Sequence, residues 1–431
     1  MSHWPDQPRF LRLLFSSAHG TTRSVEVGYD RKDDVWHSGV WFDGSSVPGL
    51  ERVNASDLLL RPIWNEPTVQ PWDRRVALAL CEVRDVNGNP HPHDVRNVLR
   101  RVAARARELG YALKIGAELE FYLVERNGDG SVRPTDAGGY LSAPPLDQGL
   151  SLRREAVEVL DSVGVPTTSH HHEVGSGQHE IGIRHSTIPE AADNVIVARL
   201  AISELAMERG LVATFMPKPF EGLPGNGMHL HQSLWDSERN VNLFASEEGS
   251  GLSELALHYI AGILEHARAL TAIVASTVNS FRRLRPGFEA PTCIAWGPRN
   301  RTAMIRVPEF SGSPSAARVE VRCPDPLCSP YLAMAAIIAA GLDGIERELP
   351  PPEPATHNLF EDESECDSLP DSLGTALEAL RHDDVIRTAL GNTLTDYLVV
   401  SGKRTWEEFC RTTNGDEQVT SWEMSRYLLA A

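Results

Sequence analysis

From Phe10 to about Arg84, apolar residues alternate with polar ones or form short runs between Gly, Asn and Pro punctuation: FLRLLF, SVEVGY, VWHSGVWF and VALALCEV. A period of two broken by turn residues predicts strands, so this stretch reads as a small sheet domain. The turn cluster NGNPHP follows, and then HDVRNVLRRVAARARELG, whose apolar residues fall three and four apart and close on Gly110. That is a helix with its stop signal. A domain boundary is predicted here, dividing residues 1–92 from 93–431.

Beyond it the two periods alternate. KIGAELEFYLV, EIGIRH, VATFMPKP and GMHLHQSLW read as strands, with LRREAVEVLDSVG and PEAADNVIVARLAISELAMERG as helices between them. HYIAGILEHARALTAIVAS and PYLAMAAIIAAGLDGIEREL predict further helices, and the Pro-rich, acidic PPPEPATHNLFEDESECDSLPDS predicts an exposed loop. The economical fold class is α+β.

Composition changes this picture only at its edges. A chain of 431 residues exceeds one small domain, and 41% hydrophobic with 23% charged residues describes a folded protein. The net charge of −18 repels a phosphate backbone, which argues against nucleic acid as a partner. Six cysteines lie scattered without close pairs, which argues against a disulfide framework and a thiolate zinc site and fits a reducing cytoplasm. The amino terminus, MSHWPDQPRF, has no signal-peptide pattern, and the apolar stretch Tyr331 to Leu342 is too short to span a bilayer, so no membrane is expected.

Chemistry is concentrated in strand-like segments that carry charged or metal-capable side chains at every second residue. Glu118 and Glu120 in KIGAELEFYLV project to one face, where two like charges must raise their pKa or bind cations. His229 and His231 alternate in the same way with Ser233 next, as do Arg318, Glu320 and Arg322. HHHEVGSGQHE sets Glu173 and Glu180 on either side of a glycine-containing turn. Each pattern alone is more often a solvated face or an exposed ion-pair ladder. Together, five glutamates and one histidine suffice for two sets of three ligands of the kind magnesium or manganese takes, with positions left for water and phosphate oxygens. Arginines beside them suit an anionic ligand and phosphoryl transfer. The phosphate-cradling loops GxxxxGK[ST] and GxGxxG are absent.

The segments GAELEFYLV, HHHEVGSGQHEI, ATFMPKPFEGLPGNGMHLHQSLW, RPGFEAPTCIAWGPRNRTAMIRVP and RVEVRCPDPLCSPYLAMAAIIAAGLDGI, in this order, resemble the signature segments of glutamine synthetases. FDGSSVPGLERVNASDLLLRP resembles the family's amino-terminal loop, so the resemblance runs through nearly the whole chain. It implies a β-grasp-like domain over 1–92, then a catalytic α+β domain over 93–431 whose antiparallel sheet forms the active-site channel. The implied reaction activates the glutamate γ-carboxylate with ATP as γ-glutamyl phosphate and condenses it with ammonia.

By the same resemblance, Glu120, Glu173 and Glu180 match the ligands of a first magnesium or manganese ion, and Glu118, His229 and Glu320 those of a second. His231, Ser233 and Arg318 match ATP contacts, with Trp235 against the adenine plane. Arg283, Arg301 and Arg322 match positions that grip glutamate and the transferred phosphate, Arg306 one that stabilises phosphoryl charge, and Gly225 a backbone contact to glutamate. Glu289 matches the flap residue over the intermediate. Asp43, with Ser46, matches a loop that enters the neighbouring subunit and deprotonates ammonium, in a pocket completed by Tyr140 and Glu173. A dodecamer of two hexameric rings is implied.

Pro224 stands in LPGNGMH where the family has an asparagine that positions glutamate. Related ligases that use methylamine, ethanolamine or polyamines vary here, so a γ-glutamyl-amine ligase is the alternative, with a non-catalytic scaffold a remote one. Phe360 falls where some bacterial members carry an adenylylated tyrosine, and it has no hydroxyl to modify. Arg52 resembles a feedback position but also suits a plain surface arginine.

Overall fold

The first sheet is centred on two strands buried on both faces, with half-exposed strands at its edges. β1 (Phe10–Ser16), β2 (Thr22–Gly28), β3 (Val40–Asp43), β4 (Asp57–Pro62), β5 (Thr68–Val69) and β6 (Val76–Arg84) pair in the order β2-β1-β6-β4-β3, with β5 on β6. Leu11, Leu13, Phe15, Ala77, Ala79 and Cys81 share a small core with Val35 of helix α1 (Lys32–Ser38). The opposite face, with Leu14, Val76, Leu78 and Leu80, joins the main core. A computed structural model describes residues 7–430 apart from Asp129, Glu247, Gly249, Ser250, Phe288, Ser311, Gly312, 362–365 and 414–417.

Helix α2 (Val95–Glu108), capped by the Asp94 side chain on the Arg96 N–H, leads into the second sheet. There β7 (Tyr111–Arg126), β8 (Val132–Pro134), β9 (Thr167–His172), β10 (Gln178–Ser186), β11 (Val212–Thr214), β12 (Met228–Asp236), β13 (Trp296–Pro298), β14 (Ile305–Val307) and β15 (Val319–Val321) form nine strands. The path runs β13-β14-β15-β12-β7-β10-β9, with β8 and β11 also on β7. Helices α3 (Leu150–Ser162) and α4 (Glu190–Glu208) cross from strand to strand. Then come α5 (Glu254–Glu265), α6 (Ala267–Val274), α7 (Ser280–Arg283) and α8 (Pro330–Glu346), followed by α9 (Leu373–Arg381), α10 (Asp384–Leu390), α11 (Asn392–Thr413) and α12 (Ser421–Tyr427).

Strand β7 shows how the sheet sorts chemistry from packing. Its odd residues, Leu113 through Leu123, all enter the main core, which leaves the even residues, Glu118 and Glu120 among them, to the other face. The apolar half of the alternation therefore anchors the charged half.

Four expectations need correction. In VWHSGVWF, residues 35–38 close helix α1 and only Val40–Asp43 is strand. VATFMPKP stays in the sheet only over Val212–Thr214, before two prolines that cannot donate to a ladder. The long helix expected over 258–276 breaks at His266, whose ring nitrogens lie 2.7 Å from Asp383 and 3.0 Å from Asp343, contacts that a straight helix has no sequence cue to reveal. Cys293 and Cys366, 73 residues apart, are joined as a disulfide, while Cys81, Cys323, Cys328 and Cys410 are free. The pairing escapes a scan for close spacing because Ile294 and Leu369 exchange backbone hydrogen bonds with Asp367 and Thr292 and so bring the two segments together. The expected acidic loop has neither helix nor strand over 350–361, and its residues 362–365 lie outside the described chain. No helix among the described residues is long and apolar enough to cross a membrane.

Candidate functional site

Cross-strand register assembles the site. Glu180 on β10 lies opposite Glu120 on β7, His229 on β12 opposite Glu118, His231 opposite Glu320 on β15, and Arg306 on β14 opposite Glu320. Directly paired residues of an antiparallel ladder project to the same face, so these side chains share one surface of the sheet. Glu173 joins them from the turn between β9 and β10. Its N–H donates to the Gln178 carbonyl at 2.8 Å.

Three close groupings of ligand atoms result, each within 4.8 Å: Glu118 with Glu180 and His229; Glu118 with His231 and Glu320; His171 with Glu173 and Glu180. His229 Nδ1 lies 2.9 Å from Glu118 and 3.8 Å from Glu320, and its Nε2 lies 3.9 Å from Glu120. Carboxylate oxygens with an imidazole nitrogen, without thiolate, are the donors a hard divalent cation accepts, so the residues present fit such an ion. His231, expected only at ATP, also reaches Glu118 at 2.9 Å.

The charges are arranged in two halves. Burial pushes the Glu120 carboxyl well above its ordinary range, and the neighbouring Glu173 and Glu180 charges push the same way. Burial and Glu180 raise Glu173 to about 7. On the other half burial opposes ionisation too, yet hydrogen bonds with His229 and His231 hold Glu118 far below its ordinary value. Glu320 is fully buried and likewise lowered, because burial is outweighed by Arg322 and the two histidines. Arg306 reaches Glu320 at 2.6 Å and Arg322 also pairs with it. The Nε atoms of both arginines are buried without a hydrogen-bond partner, an opening for an anionic ligand.

Two cavities meet at Glu118. One, of about 540 Å³, is lined by His231, Ser233, Trp235 and Arg318, together with Lys114 and Gly116. The other, of about 510 Å³, is lined by Glu120, Tyr140, Glu173, Glu180, Pro224, Gly225, His229, Arg283, Glu289, Arg301 and Arg322. Arg283 is held by the carbonyls of Arg322 and Cys323 at 2.8 and 2.9 Å. Pro224 is fixed through its carbonyl, which accepts from the Tyr122 hydroxyl at 2.7 Å. Glu289 is exposed and holds a left-handed backbone, φ 59°. The Tyr140 ring packs edge-on against His171, centroids 5.6 Å apart.

Asp43 and Ser46 line neither cavity of their own chain. Asp43 is exposed and accepts from the hydroxyls of Ser45 and Ser46, each at 2.6 Å, which lowers its pKa.

Sequence reasoning missed three contributors. His171 lies 3.4 Å from Glu173 and 3.2 Å from Glu180, as the single cation-forming side chain between them in that grouping. Gln178 donates to the Gly225 carbonyl at 3.0 Å and lies 3.4 Å from Glu120. Its place two residues before Glu180 was the available signal. Gly227 donates its N–H to Glu120 at 2.7 Å, and a Cβ there would meet Arg283 Nη2 at 2.6 Å and His229 Nε2 at 2.8 Å. Gly227→Ala is therefore expected to displace the His229 ring and weaken manganese binding about 10–100-fold, as loss of a ligand-orienting contact does, measured by calorimetric titration.

Comparisons with known proteins agree with this geometry. The family profiles described as "Glutamine synthetase, beta-Grasp domain" and "Glutamine synthetase, catalytic domain" match residues 7–86 and 92–427. The glutamine synthetase of Pyrococcus abyssi is 42% identical over 97% of this chain and 96% of its own. That of Thermotoga maritima is 40% identical over 97% and 96%. Among solved structures, a GmaS/ADP complex superposes with a TM-score of 0.87 at 30% identity, covering 97% of this chain and 96% of that one.

Proposed function

Because the chain belongs to the glutamine synthetase family, we propose that its sheet face activates the γ-carboxylate of glutamate with ATP and passes it to ammonia, releasing glutamine, ADP and phosphate. It is an ATP-dependent ligase. The observation that carries the reading is the convergence of Glu118, Glu120, Glu180, His229 and Glu320 on one sheet face, between two cavities that share Glu118.

In this reading ATP lies in the cavity of His231, Ser233, Trp235 and Arg318, and glutamate lies in the cavity of Gly225 and Arg283. Their reacting ends meet at Glu118, so attack becomes a positioned encounter. Glu120, Glu173 and Glu180, and likewise Glu118, His229 and Glu320, would hold magnesium or manganese, whose positive charge would let the two anions approach. Arg306 and Arg322 offer guanidinium charge to the transferred phosphoryl group, with Arg301 at the cavity wall. Glu289 stands where a closing segment excludes water from the acyl phosphate.

Tyr140 and Glu173 form the amine pocket, and Asp43 with Ser46 completes the pocket of a second copy. The exposed Trp41 beside Asp43 supports that docking, because a large apolar side chain in solvent suits a subunit interface. A dodecamer of two rings in the cytoplasm follows from the same reading, as does a division between residues 92 and 93.

Phosphate release from ATP and glutamate, measured across ammonia, methylamine, ethanolamine, putrescine and spermine, tests the acceptor. Preference for ammonia is expected. Pro224 in the glutamate cavity is the feature that suits the other outcome, and a strong preference for any organic amine would make the chain a γ-glutamyl-amine ligase instead.

A further inference from the structure

The face that carries the site continues beyond it. Along β7 the residues on this face are Ala112, Lys114, Gly116, Glu118 and Glu120, and opposite them on β12 stand Trp235, Ser233, His231 and His229. Small residues sit across from large ones, Gly116 from His231 and Ala112 from Trp235. A Cβ on Gly116 would come within 3.1 Å of the Ile183 carbonyl, so the floor is low between Glu118 and Lys114.

At the far end the Trp235 ring is pinned, because its Nε1 donates to Ser233 Oγ at 2.9 Å. Lys114 Nζ lies over that ring, 3.3 Å from the centroid, and 3.3 Å from the Asn240 amide oxygen. In a chain of net charge −18, Lys114 forms no salt bridge among the described residues and lines the cavity instead. It stands four residues before Glu118 on the strand, roughly 13 Å away at the usual rise. A nucleotide whose phosphates lie at Glu118 would therefore bring its base, and not its phosphates, to Lys114 and Trp235.

We propose that Lys114 is a base-binding residue of the nucleotide cavity: its ammonium gives up the Trp235 face to a stacked purine and donates a hydrogen bond to the purine N7. The inference rests on the reading of this cavity as the nucleotide site. An ammonium offers donors only, so it matches an acceptor edge. A pyrimidine base has no N7 at the position that Lys114 reaches, which makes Lys114 a purine selector.

Calorimetric titration of the full-length wild type, Lys114→Met and Lys114→Arg with magnesium and ADP, CDP or tripolyphosphate tests this. Lys114→Met is expected to weaken ADP about tenfold, the loss of one charge-assisted hydrogen bond, and to leave CDP and tripolyphosphate unchanged. Lys114→Arg should keep most of the ADP affinity. ADP binding that is unchanged or tighter in Lys114→Met would overturn the proposal, since the lysine would then merely cover Trp235. Equal losses for tripolyphosphate or CDP would also overturn it, by assigning Lys114 to the phosphates or the sugar. A wild type that binds ADP with this selectivity but releases no phosphate with any amine would defeat the proposed reaction alone. One that binds no ADP would defeat both.

Discussion

Glu320→Ala is expected to lower kcat/KM by at least about 10³-fold, a loss of roughly 4 kcal/mol of transition-state stabilisation. Glu320 is fully buried between Arg306 and Arg322, and it lies 3.8 Å from His229. Removing it takes one of three proposed ligands from a cation and strands two guanidinium groups. Breaking a buried ion pair by deleting one partner costs about 3–5 kcal/mol of stability, so loss of activity alone would be ambiguous. Glu320→Gln keeps the shape and one carbonyl acceptor for an arginine. It should lose less stability than the alanine variant and still lose most activity, because an amide is a poor ligand beside a carboxylate. Retention of activity within tenfold in that variant would remove Glu320 from the cation site.

The second large effect concerns the other half of the site. Glu120 is buried and Glu173 half-buried beside Glu180, with His171 3.2 Å from Glu180 and His229 3.9 Å from Glu120, a grouping of like charge that costs stability when no cation balances it. Saturating magnesium or manganese should raise the melting temperature, since a ligand at 100 times its Kd adds about 2.7 kcal/mol.

The pH dependence has a definite sign. The folded pKa of Glu173 is raised from 4.5 to about 7, so the stability it contributes is complete below about pH 4.5 and is lost as pH rises through about 7. Metal-free protein should thus be destabilised by this group across that window, and metal should reverse the trend. Glu120→Gln removes one ionisable carboxyl from the grouping. It should melt higher than the wild type without metal and gain less when metal is added, both readable by differential scanning calorimetry. A variant less stable without metal would mean that the carboxylates are already satisfied by the protein.

What the sequence could show was decided by range. Period-two alternation places Glu118 and Glu120, His229 and His231, and Glu320 on sheet faces, because the pleat is a local property of each strand, whereas Arg318 and Arg322 flank the three-residue strand β15. It could not show that β12 lies between β7 and β15, which alone makes His229 face Glu118 and His231 face Glu320. Roles for Arg283, Arg301 and Glu289 came from resemblance, and the structure sets all three at the wall of one cavity. Asp43 and Ser46 came the same way, and a single chain leaves them outside. Gly227 was silent because a glycine announces nothing about what a Cβ would strike. Lys114 carries no local signal either, because its place over the Trp235 ring depends on the pairing of β7 with β12.

The most direct measurement is anomalous scattering from crystals grown with manganese and ADP. Two peaks per chain are predicted, one among Glu120, Glu173 and Glu180 and one among Glu118, His229 and Glu320, each within coordination distance of about 2.0–2.6 Å. Peaks elsewhere, or none between these carboxylates at saturating manganese, would contradict the account.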